Sequence, residues 1–146
     1  MGEVKVYFPE NGSDLQLQFV VVGARYQGQW LFVLHKQRST YEIPGGHIEP
    51  GEHHAGAAAR ELYEETGAID FTLYNLGCYV VEREGTEPSG GMLYVADIVT
   101  LGKLPEASEI GSVHAFDELP HNLTYPAIQP MLQEKLEAWL LRVSEH

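Results

Sequence analysis

The stretch that decides the fold runs from Gly45 to Ala68 and reads GGHIEPGEHHAGAAARELYEETGA. Its second half is rich in Ala, Leu and Glu, which predicts a helix from about Ala55 to Thr66 that stops at Gly67. On that helix Glu61, Glu64 and Glu65 stand at i, i+3 and i+4 and share one face. Ala55, Ala58, Ala59, Leu62 and Thr66 fall on an arc centred roughly 115° away, so a core seam runs beside an acidic ridge. Carboxylates at this spacing repel each other by roughly a few tenths of a kcal/mol per pair. A hard divalent cation offsets that repulsion, because Mg²⁺ and Mn²⁺ prefer oxygen ligands. Taken alone, the same acids also describe a solvated helix face. Arg60 is i−4 to Glu64 and can orient it through one of its oxygens. Upstream, Pro44-Gly45-Gly46 breaks regular structure and lets the backbone approach an ion or a phosphate. Glu52 precedes the helix, where a carboxylate can cap amides or meet the dipole.

Outward from this stretch, Leu15 to Ala24 alternates apolar residues with Gln16 and Gln18 before a continuous Val run, which predicts a strand. Trp30 to Leu34 is a second strand, joined to the first by a turn carrying Gly28. Phe71 to Val81 and Met92 to Leu101 are β-rich and flank a polar loop, Glu84 to Gly91. A short strand is expected around Val113 to Phe116. Pro126 opens a last helix whose apolar face is Met131, Leu132, Leu136, Trp139, Leu140 and Val143. Strands with two well-separated helices predict an α+β or mixed α/β sandwich with helices over a mixed sheet.

The chain has 146 residues, with 9 basic against 21 acidic side chains and a net charge of -12. That length suits one domain over residues 1–146. One cysteine, Cys78, excludes an internal disulfide framework. The acidity argues against nonspecific binding to nucleic acid or anionic membrane. No signal-like or membrane-spanning apolar run is visible, so the expected location is cytoplasmic.

The full register is Gly46, five residues, Glu52, seven residues, Arg60-Glu61-Leu62, one residue, Glu64-Glu65, one residue, then Gly67 and Ala68. In this the chain resembles the Nudix hydrolases, whose box G-x5-E-x7-R-E-U-x-E-E-x-G-U is met at every charged and glycine position. Ala68 departs from it, since a larger aliphatic residue is usual at that packing position. The resemblance implies an α/β/α sandwich and cleavage of a nucleoside diphosphate linked to another group, with Mg²⁺ or Mn²⁺. It implies Glu61, Glu64 and Glu65 as metal carboxylates, with the carbonyl of Gly45 or Gly46 as a further ligand. Glu52 would position the loop and Arg60 would hold a metal glutamate. A further ligand or base is common in the family before the strand that precedes the last helix, and Glu109 resembles it. Many relatives are dimers, which leaves a homodimer open.

Lys36 and Arg38, just before the box, are candidates for phosphate contact. His47, His53, His54, His114 and His121 form no i, i+4 pair on the predicted helices, so a transition-metal site is not expected. Cys78 lies in a β run and is expected to be a buried, inert thiol. Tyr26, Trp30, Tyr41 and Tyr94 are expected in the core. Among Nudix substrates, the proline that marks ADP-ribose members is missing at Arg83 and Glu84. The tyrosine that marks dinucleoside polyphosphate members is missing too. Size and the segment Leu119 to Pro130 resemble the small MutT-like nucleoside triphosphatases. In the oxidised-guanine type an Asn reads the base, and Ile128 occupies that position here. The expected substrate is therefore a nucleoside triphosphate, with the base open. A nucleotide-sugar or dinucleoside polyphosphate hydrolase, an RNA 5′-end hydrolase and a non-catalytic nucleotide sensor are the alternatives.

Overall fold

The structure, a computed structural model, describes residues 3–144. The strands are β1 (Val4–Tyr7), β2 (Leu17–Tyr26), β3 (Gln29–His35), β4 (Gly45–His47), β5 (Ala68–Arg83), β6 (Ser89–Leu101) and β7 (Ile110–Phe116). The helices are α1 (His54–Thr66), between β4 and β5, and α2 (Gln129–Ser144), after β7. One mixed sheet takes the order β1-β5-β6-β2-β3-β7, and β4 pairs with β2 off this path. The β2–β6 pair is parallel and every other named pair is antiparallel.

Alternation along the strands sends side chains to two cores. Val20, Val22, Ala24, Leu31, Tyr94, Ala96 and Ile98 pack with Ala57, Ala58 and Leu62 of α1. Trp30, Phe32, Leu93, Val95, Tyr79 and Val81 pack with Leu132 and Leu136 of α2. The helices therefore cover opposite faces of the sheet, as the expected sandwich requires.

The predicted β2–β3 hairpin, the β5 and β6 runs, β7 and the box helix are all present. Gly67 ends α1 at φ 82°, its N–H donating to the Tyr63 carbonyl. Trp30 and Tyr94 are buried, and Tyr26 and Tyr41 pack against the two cores.

Several expectations are corrected. The buried seam of α1 is Ala57, Ala58, Leu62, Glu65 and Thr66, rotated from the predicted arc toward the carboxylates. Glu65 is i+3 from Leu62 and i+7 from Ala58, so the helix face that meets β2 carries it inward. The glycine pair does not simply break structure: Gly45–His47 forms β4 along β2. Strand β1 escapes a sequence reading because it is four residues long and only Val6 in it is buried. The last helix starts at Gln129, because Pro126 lies in a turn in which Ile128 N and Gln129 N both donate to Tyr125 O. Met131 (42% exposed) and Val143 (44%) leave the predicted apolar face, and Gln129 and Gln133 are buried on it instead. Cys78 is half-buried rather than buried.

Candidate functional site

The site starts from β4, which passes between β2 and α1. Its register pairs Val20 with Gly46 and Val21 with Gly45. Flanking bonds from Val22 N to Pro44 O (2.8 Å) and from Ile48 N to Gln18 O (2.9 Å) fix the phase of this ladder. Antiparallel alternation then turns Gly46 toward β2 and turns both backbone groups of Gly45 away from it. The Gly45 N–H accordingly donates to Glu65 Oε1 at 3.0 Å. The Gly45 carbonyl, not that of Gly46, is the one left free on the acidic side. Gly46 has another role: a Cβ there would lie 2.5 Å from the Glu61 carboxyl carbon. A glycine is needed because the glutamate presses on the backbone.

Arg60 organises the wall. Its Nε and Nη2 donate to Glu52 at 2.8 and 2.9 Å, and Nη2 also donates to the His47 carbonyl at 3.0 Å. Its Nη1 donates to Glu61 Oε1 at 2.7 Å and reaches Glu64 at 3.4 Å. Glu52 does not cap α1, since His53 is the N-cap and accepts from Ala55 N through its ring. Glu52 instead accepts from the Glu49 N–H and clasps Arg60, so it ties the loop to the helix. Chiefly through the Arg60 bonds, its pKa is held down to about 2.

The three helix carboxylates differ. Glu64 is 45% exposed, Glu61 14% and Glu65 12%. Burial raises the pKa of Glu61, against the opposing pull of Arg60. Burial pushes Glu65 up to about 8, helped by the charges of Glu61, Glu42 and Glu109 and opposed by the Gly45 bond. These groups crowd carboxylates around one guanidinium, Arg60, which contacts Glu61 and Glu64 but not Glu65.

Glu42 and His35 complete the wall, and the sequence reading missed both. Glu42 accepts from Arg38 Nη1 at 3.0 Å, and His35 Nε2 lies 3.4 Å from Glu42 and 3.9 Å from Glu65. Glu42 precedes the box and His35 ends β3; the Val33–Glu42 bridge sets Glu42 beside β3, and the β2–β3 and β2–β4 pairings bring both to the helix. Glu109 immediately precedes β7, and its carbonyl accepts from Lys36 N. Glu109 and Arg38 line the cleft; the Lys36 side chain does not, because on strand alternation His35 takes the inward position.

The cleft encloses about 560 Å³. Glu42, Glu61, Glu65 and Glu109 line one part of it, and Val21, Ile43, Val81, Ile128 and Leu132 line another. Ile128, at the position expected to face a base, does line it. The other histidines make local contacts. His54 bonds the Tyr94 hydroxyl, His114 bonds Ser112, and His47, which also lines the cleft, packs at a tilt against Phe19. Among the described residues no helix is long and apolar enough to cross a membrane.

A family model described as the NUDIX domain matches residues 14–134. A protein of Bacillus subtilis (strain 168) with the provisional name 8-oxo-dGTP diphosphatase YtkD is 42% identical over 122 residues, 83% of this chain and 75% of that one. The crystal structure of the Bacillus subtilis pyrophosphohydrolase BsRppH, in a mutant form, matches with TM-score 0.73 and 34% identity, over 92% of this chain and 90% of that one. A NUDIX hydrolase from Nitrosomonas europaea, 23% identical with TM-score 0.64 over 84% of this chain and 90% of its own, shares the fold.

Proposed function

The chain belongs to the Nudix family of pyrophosphohydrolases, and we propose that it cleaves a nucleoside triphosphate to the monophosphate and pyrophosphate, using Mg²⁺ or Mn²⁺. One observation carries this reading. A wall of glutamates (Glu42, Glu49, Glu61, Glu65 and Glu109) and an apolar wall share a single cleft, which suits a ligand with a polyphosphate at one end and a base at the other.

The donor set fits a hard cation: glutamate oxygens with the free Gly45 carbonyl, and no thiolate. Among the described residues, no group of three acidic, histidine or cysteine side chains is arranged to hold an ion as it stands. Arg60 Nη1 lies instead against Glu61 and Glu64. An ion held by Glu61 would compete with Nη1 for that carboxylate, whereas Nε and Nη2 anchor Arg60 on Glu52 and the His47 carbonyl. When bound, divalent ions neutralise the polyphosphate and acidify a water molecule.

The chain's own residues do the rest. Glu61, Glu64 and Glu65 supply ligand oxygens, and Glu52 and Arg60 hold the loop and helix in register. A carboxylate of this wall, Glu109 or one of the box, takes the proton of the attacking water. The water oxygen joins phosphorus as the bridging P–O bond breaks, and pyrophosphate leaves from the monophosphate. Arg38, half-exposed beside Glu42, meets the phosphates.

The relative's name brings 8-oxo-dGTP into the substrate panel, but Ile128 offers no hydrogen bond to that base. Hydrolysis of nucleoside triphosphates, 8-oxo-dGTP, ADP-ribose, dinucleoside polyphosphates and a short triphosphorylated RNA, with Mg²⁺ or Mn²⁺, tests the proposal. The expected products are a nucleoside monophosphate and pyrophosphate, formed fastest from a nucleoside triphosphate. Tight binding without turnover would support a sensor instead, although every box carboxylate is present. Faster cleavage of any other class on the panel would also contradict the proposal.

A further inference from the structure

Tyr79 of β5 is 4% exposed, yet it lines the cleft. Its cross-strand partner on β6 is Gly91. A Cβ on Gly91 would lie 2.3 Å from the ring and 2.4 Å from the hydroxyl oxygen, so the ring lies flat across a gap only glycine leaves. Its placement is therefore fixed by backbone. Burial alone raises its pKa, with no side-chain or backbone hydrogen bond contributing. The hydroxyl thus stays protonated, lies over Gly91 in a residue that lines the cleft, and has no hydrogen-bond partner among the described residues.

The cleft's other tyrosine, Tyr125, is 43% exposed and its hydroxyl is engaged with Arg38, so no other buried side-chain hydroxyl lines this wall. Val21, Ile43, Val81, Ile128 and Leu132 are apolar. The buried Gln129 amide is spent on the chain itself, with Nε2 donating to Tyr41 O at 3.2 Å and Oε1 accepting from Ile43 N at 3.0 Å. Arg83 is exposed and Ser89 only half-buried, so both belong to the rim.

Resting on the nucleotide reading above, we propose that the Tyr79 hydroxyl is the specificity-determining group that hydrogen-bonds the substrate's base. A buried hydroxyl in an apolar wall favours a base whose edge pairs with it and penalises one that leaves it bare. This assigns to Tyr79 the discrimination that Ile128 cannot perform.

The test is calorimetric binding of AMP, GMP, CMP and UMP to the full chain, which needs neither metal nor turnover. Wild type should favour one base, and Tyr79→Phe, which keeps the ring over Gly91, should narrow the affinity spread about five- to tenfold. Gly91→Ala, which displaces the ring, should narrow it as well. An unchanged ranking and spread in Tyr79→Phe would overturn the proposal, as would wild type that binds none of the four. Narrowing in Gly91→Ala alone would overturn it too, by showing that wall shape and not the hydroxyl does the reading. If the spread narrows in both variants while wild type hydrolyses no triphosphate, the hydrolytic reading fails and this one stands.

Discussion

Glu65 accepts the Gly45 N–H, yet burial and three neighbouring carboxylates raise its pKa from 4.5 to about 8. Between those pH values the folded protein holds a proton that the unfolded chain has lost. The stability of the metal-free protein therefore falls as pH rises through that window and levels off above it. Glu52 acts with the opposite sign: with its pKa lowered to about 2, its contribution is present above 4.5 and fades as pH falls toward 2. Thermal unfolding from pH 3 to 9 in a chelator should show both slopes. Glu65→Gln follows from the same argument. Its amide oxygen can keep the Gly45 bond while the buried charge is gone. The variant should unfold at a higher temperature than wild type at pH 8 and lose at least about 10³-fold in turnover. Differential scanning fluorimetry beside a pyrophosphate-release assay reads the two together. A residue that is only a solvated acid would change neither.

At the scale of elements, α1 was legible because its signals are local: an Ala- and Glu-rich window, a fixed charge spacing and a terminating glycine. Gly67 holds φ 82°, and a Cβ on it would meet the Gly102 carbonyl at 2.6 Å. Gly67→Ala should therefore destabilise by at least about 1 kcal/mol, measured by urea unfolding. Gly46→Ala should behave differently. Its Cβ strikes the Glu61 carboxylate rather than backbone, so the protein should fold while kcat drops about 10²-fold from the displaced glutamate. Strands β1 and β4 were not legible, being four and three residues long and held by partners distant in sequence. The same cause hid Glu42 and His35. Neither has a local pattern, and sheet pairing alone sets them against Glu65. Position Lys36 illustrates the limit well: its charge suggested a phosphate contact, whereas strand alternation gave the inward place to His35.

At the scale of the whole molecule, the two helices cover opposite faces of one sheet, and the cleft takes residues from both sides of it. An acidic wall held by α1 and β4 thus faces an apolar wall completed by α2. The net charge of -12 gains a partial explanation. Glu42, Glu61, Glu65 and Glu109 gather where a cation is needed, and the remaining excess is spread over the surface. The central claim is that this wall holds divalent ions through Glu61 and Glu65. Mn²⁺ binding at pH 7.5, followed by electron paramagnetic resonance, tests it without any substrate. Wild type should bind Mn²⁺, and Glu61→Gln with Glu65→Gln in one chain should lose at least about tenfold in affinity while remaining folded. Equal Mn²⁺ binding by the folded double variant and wild type would contradict the account.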